Sequence, residues 1–73
     1  MDVQHLVAMA NDIAAFFDSD PDKTAAVEGV RFHISRYWEP RMRRAIIAYV
    51  QQKKGDGLTP TARSAVEKLT PVA

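Results

Sequence analysis

Three groups of side chains in this sequence have types and spacing that could do chemistry. They are two histidines, three closely spaced aspartates, and a run of arginines interleaved with aromatic residues. His5 and His33 are the only imidazoles. His33 stands between Arg31 and Arg36, a cationic setting that suits neither a metal ligand nor a general base, so it is read as a half-buried helix residue. His5 is read the same way. Asp18, Asp20 and Asp22 alternate as acids do in calcium loops. Such a loop also needs a glycine near its sixth position and a bidentate glutamate at its end. Pro21 and Lys23 interrupt here and no glutamate follows at that spacing, so the acids are expected to cap a helix. There is no cysteine for a thiolate nucleophile or a thiolate metal site. Ser19, Ser35 and Ser64 lack the strand–elbow–helix setting of a nucleophilic serine. No glycine-rich phosphate loop or dinucleotide fingerprint is present. No catalytic, cofactor-binding or metal-binding residue is assigned.

The dense constellation is Arg36-Tyr37-Trp38-Glu39-Pro40-Arg41-Met42-Arg43-Arg44. Tryptophan, tyrosine, arginine and methionine are the types enriched where proteins meet, and tryptophan and arginine dominate hot spots. Arginine also offers a rigid fork of donors for carboxylates or phosphates. Residues 36–43 are therefore the expected interaction site. Pro40 would fix the angle, Trp38 and Met42 would give apolar contact, and Arg41 and Arg43 charged bonds. Trp38 could equally fill a small core. Nucleic acid is a lesser alternative partner, because net charge is only +1 and the first segment is acidic. A dimeric helical regulator is another.

The elements that must hold these residues read as helices. Val3, Leu6, Val7, Ala10, Ile13, Ala14 and Phe17 recur at helical spacing behind Asp2, a good N-cap. Met9 and Phe16 widen that face, which suggests burial on more than one side. Pro21 suits the first position of a second helix, whose apolar face is Ala26, Val27, Val30, Ile34 and Tyr37. Gly29 in its middle suggests close approach of a neighbouring helix. Pro40 opens a third helix, striped by Met42, Ala45, Ile46, Tyr49 and Val50, and Gly55 is its expected C-terminal cap. Thr59-Pro60 reads as a cap and first residue of a short fourth helix. The spacing thus predicts an all-α single domain, a small bundle of three longer helices plus a short C-terminal one. Their expected bounds are 3–18, 21–38, 40–54 and 60–69, with a frayed tail at 70–73.

A chain of 73 residues buries only about 60% of the surface its unfolded form exposes. A core of this size supplies roughly 3–5 kcal/mol, and nature adds disulfides, a metal or a partner to such chains. Without cysteine, a partner is the expected aid. The charge is segregated. Residues 1–30 carry Asp2, Asp12, Asp18, Asp20, Asp22 and Glu28 against Lys23 alone. Residues 31–54 carry Arg31, Arg36, Arg41, Arg43, Arg44, Lys53 and Lys54 against Glu39 alone. The basic half could face the acidic half or an acidic partner. No stretch has the apolar length of a membrane span and the opening residues lack a secretory signal's basic start, so a soluble intracellular protein is expected.

Several strings resemble a known family. Leu6-Val7-Ala8-Met9-Ala10-Asn11-Asp12-Ile13-Ala14-Ala15-Phe16-Phe17 is similar to the opening of the delta subunit of NAD-dependent formate dehydrogenase. So are Gly29-Val30, His33 and Tyr37-Trp38-Glu39-Pro40-Arg41-Met42-Arg43, and then Gly57-Leu58, Pro60, Arg63, Ala65-Val66 and Leu69. The aromatic–Trp–acid–Pro–Arg–Met–Arg string is the specific part. Tyr37, Glu39 and Asp12 depart from the phenylalanine, aspartate and amide expected there. The resemblance implies a noncatalytic accessory subunit that binds and stabilises the large catalytic subunit of a cytoplasmic complex, which oxidises formate to carbon dioxide and reduces NAD. It implies that the large subunit carries bis-molybdopterin guanine dinucleotide, with molybdenum or tungsten, and iron–sulfur clusters. FMN and further clusters would lie in other subunits. It leaves open a transient assembly or cofactor-insertion chaperone. Self-association of the isolated chain is also open.

Overall fold

The structure is a computed structural model, and it describes residues 2–70. Four helices follow one another: α1 Val3–Phe17, α2 Lys23–Tyr37, α3 Pro40–Lys53 and α4 Pro60–Glu67. Three are longer and the last is short, as the apolar spacing requires. The expected tail beyond residue 70 lies outside the described residues.

The helix ends follow from local chemistry. The Asp2 carboxylate accepts from the Gln4 N–H at 3.0 Å, covering an orphan donor of α1. The second helix begins two residues later than Pro21 predicts. The Asp22 carboxylate accepts from the N–H groups of Thr24 and Ala25, so Asp22 is the cap and Pro21 lies outside. Asp20 in turn accepts from the Asp22 N–H at 2.9 Å. Trp38 and Glu39 are extended, and Pro40 starts α3 with its φ already helical. At the far end of α3 both Lys54 (φ 59°) and Gly55 (φ 68°) take the left-handed conformation. The glycine does so freely, whereas the lysine carries a Cβ penalty. Thr59 caps α4 by accepting from the Ala62 N–H at 3.3 Å. The helix ends at Glu67, two residues short of expectation, in a tight turn where the Leu69 N–H donates to the Val66 carbonyl.

Helices α1 and α4 each pack against all the others, while α2 and α3 barely meet. The bundle is thus a rhombus with α1 and α4 across its middle and α2 and α3 on its flanks. Its smallest dimension is 17 Å, under two helix diameters of about 10–12 Å each, so there is one thin core. Small residues let the helices close in: Ala10, Ala14, Ala26, Ala62 and Ala65 are fully buried. Ile34, Ile46, Val30 and Val66 are the largest side chains with essentially no exposure, and Leu6, Val7, Trp38 and Leu69 complete the cluster.

Gly29 shows why the flank fits. A Cβ built there would lie 2.4 Å from Phe17 Cδ1 and 2.5 Å from Cε1. The Phe17 ring abuts the α2 backbone at Gly29, so the expected close approach of a neighbouring helix is met by one named side chain.

Candidate functional site

The α2–α3 corner divides its eight expected interaction residues into two sets. Arg36, Tyr37, Glu39, Pro40 and Arg41 are exposed, Tyr37 at 65%. Trp38 is only 5% exposed and belongs to the core, the second of the two places the sequence left open for it. A thin core of alanines and β-branched residues needs one large filler, and the extended backbone after α2 delivers the indole. Met42 is half-buried against the same cluster. Arg43 is also engaged internally. Its guanidinium donates to the carbonyls of Trp38 and, at 3.3 Å, of Ser35. Those carbonyls sit at the end of α2, where a helix lacks donors and favours a cation. Arg43 thus closes the corner and is not one of its free cations.

Outside that string lies an exposed aromatic run that the sequence pattern did not isolate. Phe16 is 74% exposed and meets Phe17 edge-on, with ring centroids 5.2 Å apart. Phe17, Phe16, Ile13, Asp12 and His33 line a groove of about 290 Å³ between α1 and α2. His33 then stacks on Tyr37 at 4.8 Å, and the Arg36 guanidinium lies 5.9 Å from the Tyr37 centroid. The groove joins the two aromatic pairs, one at the end of α1 and one at the corner. His33, half-buried as expected, works here as an aromatic link. Phe16 was expected to widen a buried face, but on α1 it lies off the stripe of Leu6, Ala10 and Ala14, and none of the described helices covers it.

The remaining chemistry-bearing residues hold the fold. The Asp18 carboxylate accepts from the Thr61 hydroxyl at 2.6 Å and meets Lys23 Nζ at 3.4 Å, tying α1 to α4 and α2. The Thr61 bond, opposed by partial burial and aided by Lys23, lowers the Asp18 pKa below its ordinary value. Ser19 Oγ donates to the Phe16 carbonyl at 3.0 Å. His5 is exposed, so it is not the half-buried residue expected. A cleft of about 730 Å³ lies beside the 54–58 turn and is lined by Tyr49, Lys53, Lys54 and Arg63 among others. Its Tyr49 hydroxyl donates to the Asp56 carbonyl at 2.6 Å, fastening the turn to α3.

Asn11 is the structural residue that sequence reasoning missed. Its amide donates to the Gly57 carbonyl and its oxygen accepts from the Thr59 N–H, both at 2.9 Å. One side chain thereby seats the loop that leads into α4. The available signal was a lone amide four residues after Val7 and three before Ala14, on the apolar face of α1.

A thin helical bundle with an exposed aromatic and cationic flank has the composition of a protein-binding module. Residues 5–66 match the family described as NADH-dependant formate dehydrogenase delta subunit FdsD. That span is most of the chain, and the protein belongs to this family. Neither a curated protein nor a solved structure matches it. None of the described helices is long and apolar enough to cross a membrane.

Proposed function

We propose that this chain is a noncatalytic subunit that binds and stabilises the large catalytic subunit of an NAD-dependent formate dehydrogenase, in the cytoplasm. Family membership over residues 5–66 is the observation that carries the reading. The exposed set Arg36, Tyr37, Glu39, Pro40 and Arg41 supports it, since these residues stand on a corner fixed from within by Trp38 and Arg43. The complex oxidises formate and reduces NAD, and other chains hold its molybdopterin, iron–sulfur and flavin groups. This chain has no cysteine to offer a cluster. A domain with so thin a core gains stability by mass action when a partner binds only its folded form.

The test is co-expression of all subunits with an affinity tag on the large one. The chain is expected in fixed stoichiometry with the mature, formate-oxidising complex, and omitting it should lower the yield or thermal half-life of that complex. Recovery only with cofactor-free large subunit would instead identify a departing assembly factor. Absence from both would refute the proposal.

A further inference from the structure

We infer that the large subunit seats on the α1–α2 groove, through a segment that presents a large apolar side chain beside carboxylates. This rests on the proposed binding of a large subunit, and it assigns the surface and the partner's chemistry.

The groove is built for an apolar anchor. Phe17 forms its floor and is held there by the bare backbone of Gly29. Ile13 and His33 flank it, and Phe16 stands beside it 74% exposed. A chain that buries its tryptophan yet leaves Phe16 and Tyr37 in solvent has an uncovered aromatic surface, and such surfaces mark contacts.

Charge identifies what accompanies the anchor. Elsewhere the protein pairs its arginines: Arg31 with Glu28 at 2.9 Å and Arg63 with Glu67 at 3.5 Å. At the end of the aromatic run, Arg36 is exposed and forms no ion pair among the described residues. Arg36 is further positioned by the Tyr37 ring. An unpaired guanidinium that reaches an apolar groove through Tyr37 and His33 complements a carboxylate on the occupant. Asp12 lines the groove itself, so the occupant's acids belong at the Arg36 end.

The experiment measures binding of the full chain to purified large subunit, with circular-dichroism melting of each variant as a folding control. Phe16→Ser and Arg36→Glu change exposed positions and should melt like the parent chain. Each is expected to weaken binding roughly thirtyfold, the loss typical of a hot spot. Phe32→Ser removes another exposed aromatic of α2 that does not line the groove, and it should bind as the parent does. Rising salt should weaken the parent and, by screening the new like-charge repulsion, strengthen the binding of Arg36→Glu. Parent-like binding by both groove variants, or loss confined to Phe32→Ser, overturns the surface while the partner stands. Salt-independent binding of the parent overturns the acidic occupant. A sedimentation dimer abolished by Phe16→Ser assigns the groove to self-association and overturns it. No affinity of the parent chain for the large subunit refutes the partner as well.

Discussion

Replacing Gly29 by alanine tests the packing that creates the groove, because two known effects of opposite sign meet at that position. Alanine is favoured over glycine within a helix by about 0.8–1.0 kcal/mol. On an exposed face the change would therefore stabilise α2. Here the new methyl would fall 2.4 Å from Phe17 Cδ1 and 2.9 Å from Cγ, where carbon atoms rest at about 3.5–4.0 Å. The ring must move by more than an ångström, and its Cγ cannot do so without turning the side chain off the α2 backbone. Overpacking of this kind costs about 1–3 kcal/mol. The net expectation is a loss of up to about 2 kcal/mol. For a domain this small, that lowers the melting temperature by up to roughly 15 °C. Circular-dichroism melting of four chains decides it: parent, Gly29→Ala, Phe17→Leu, and both together. Leucine removes the ring and leaves a branched end that can rotate aside, so in that background Gly29→Ala should be neutral or stabilising. A rise in melting temperature for Gly29→Ala alone, or an equal loss in both backgrounds, would refute the reasoning.

Three other outcomes are expected. Trp38→Ala should cost about 3–5 kcal/mol, comparable to the whole stability of such a chain, and leave the isolated protein unfolded by circular dichroism. The single tryptophan should emit at a blue-shifted wavelength in the intact chain; solvent-like emission would place the indole outside the core. Asn11→Ala should cost about 1–3 kcal/mol by leaving the Gly57 carbonyl and Thr59 N–H without their partner, seen as accelerated amide exchange at Thr59. The lowered Asp18 pKa fixes the sign of an acid effect. Its stabilisation is present above the unfolded value of 3.8 and is lost as pH falls through the lower folded value. Thr61→Val, which keeps shape but removes the hydroxyl donor, should therefore flatten the stability profile below about pH 4; an unchanged profile would assign the acid sensitivity to other carboxylates.

Helix number, order and the starts of α1, α3 and α4 were legible in the sequence because they are local properties. Prolines at 40 and 60, caps at Asp2 and Thr59, and apolar residues at three- and four-residue steps need no knowledge of the neighbours. The start of α2 was misread because Pro21 and Asp22 both carry start signals, and only the bonds to Thr24 and Ala25 decide between them. The interaction string was legible as composition but not as geometry. Residue type marks Trp38, Met42 and Arg43 as interface material, yet burial and the carbonyls at the end of α2 claim all three. Phe16 was misplaced for the converse reason. A side chain beside an apolar stripe is buried only if another helix reaches it, and the rhombus of four helices stops short of that edge. Asn11 was passed over because its partners are about 46 residues away in sequence and no local pattern announces them.

The closure of the α2–α3 corner has a kinetic consequence. Arg43 occupies the last carbonyls of α2, Pro40 locks one backbone torsion, and the indole of Trp38 pins the bend to the interior. A surface held in this way has little conformational freedom left to lose on contact, so association there needs no prior rearrangement. Substitutions that loosen the bend should slow capture and leave the chemical identity of the contact intact.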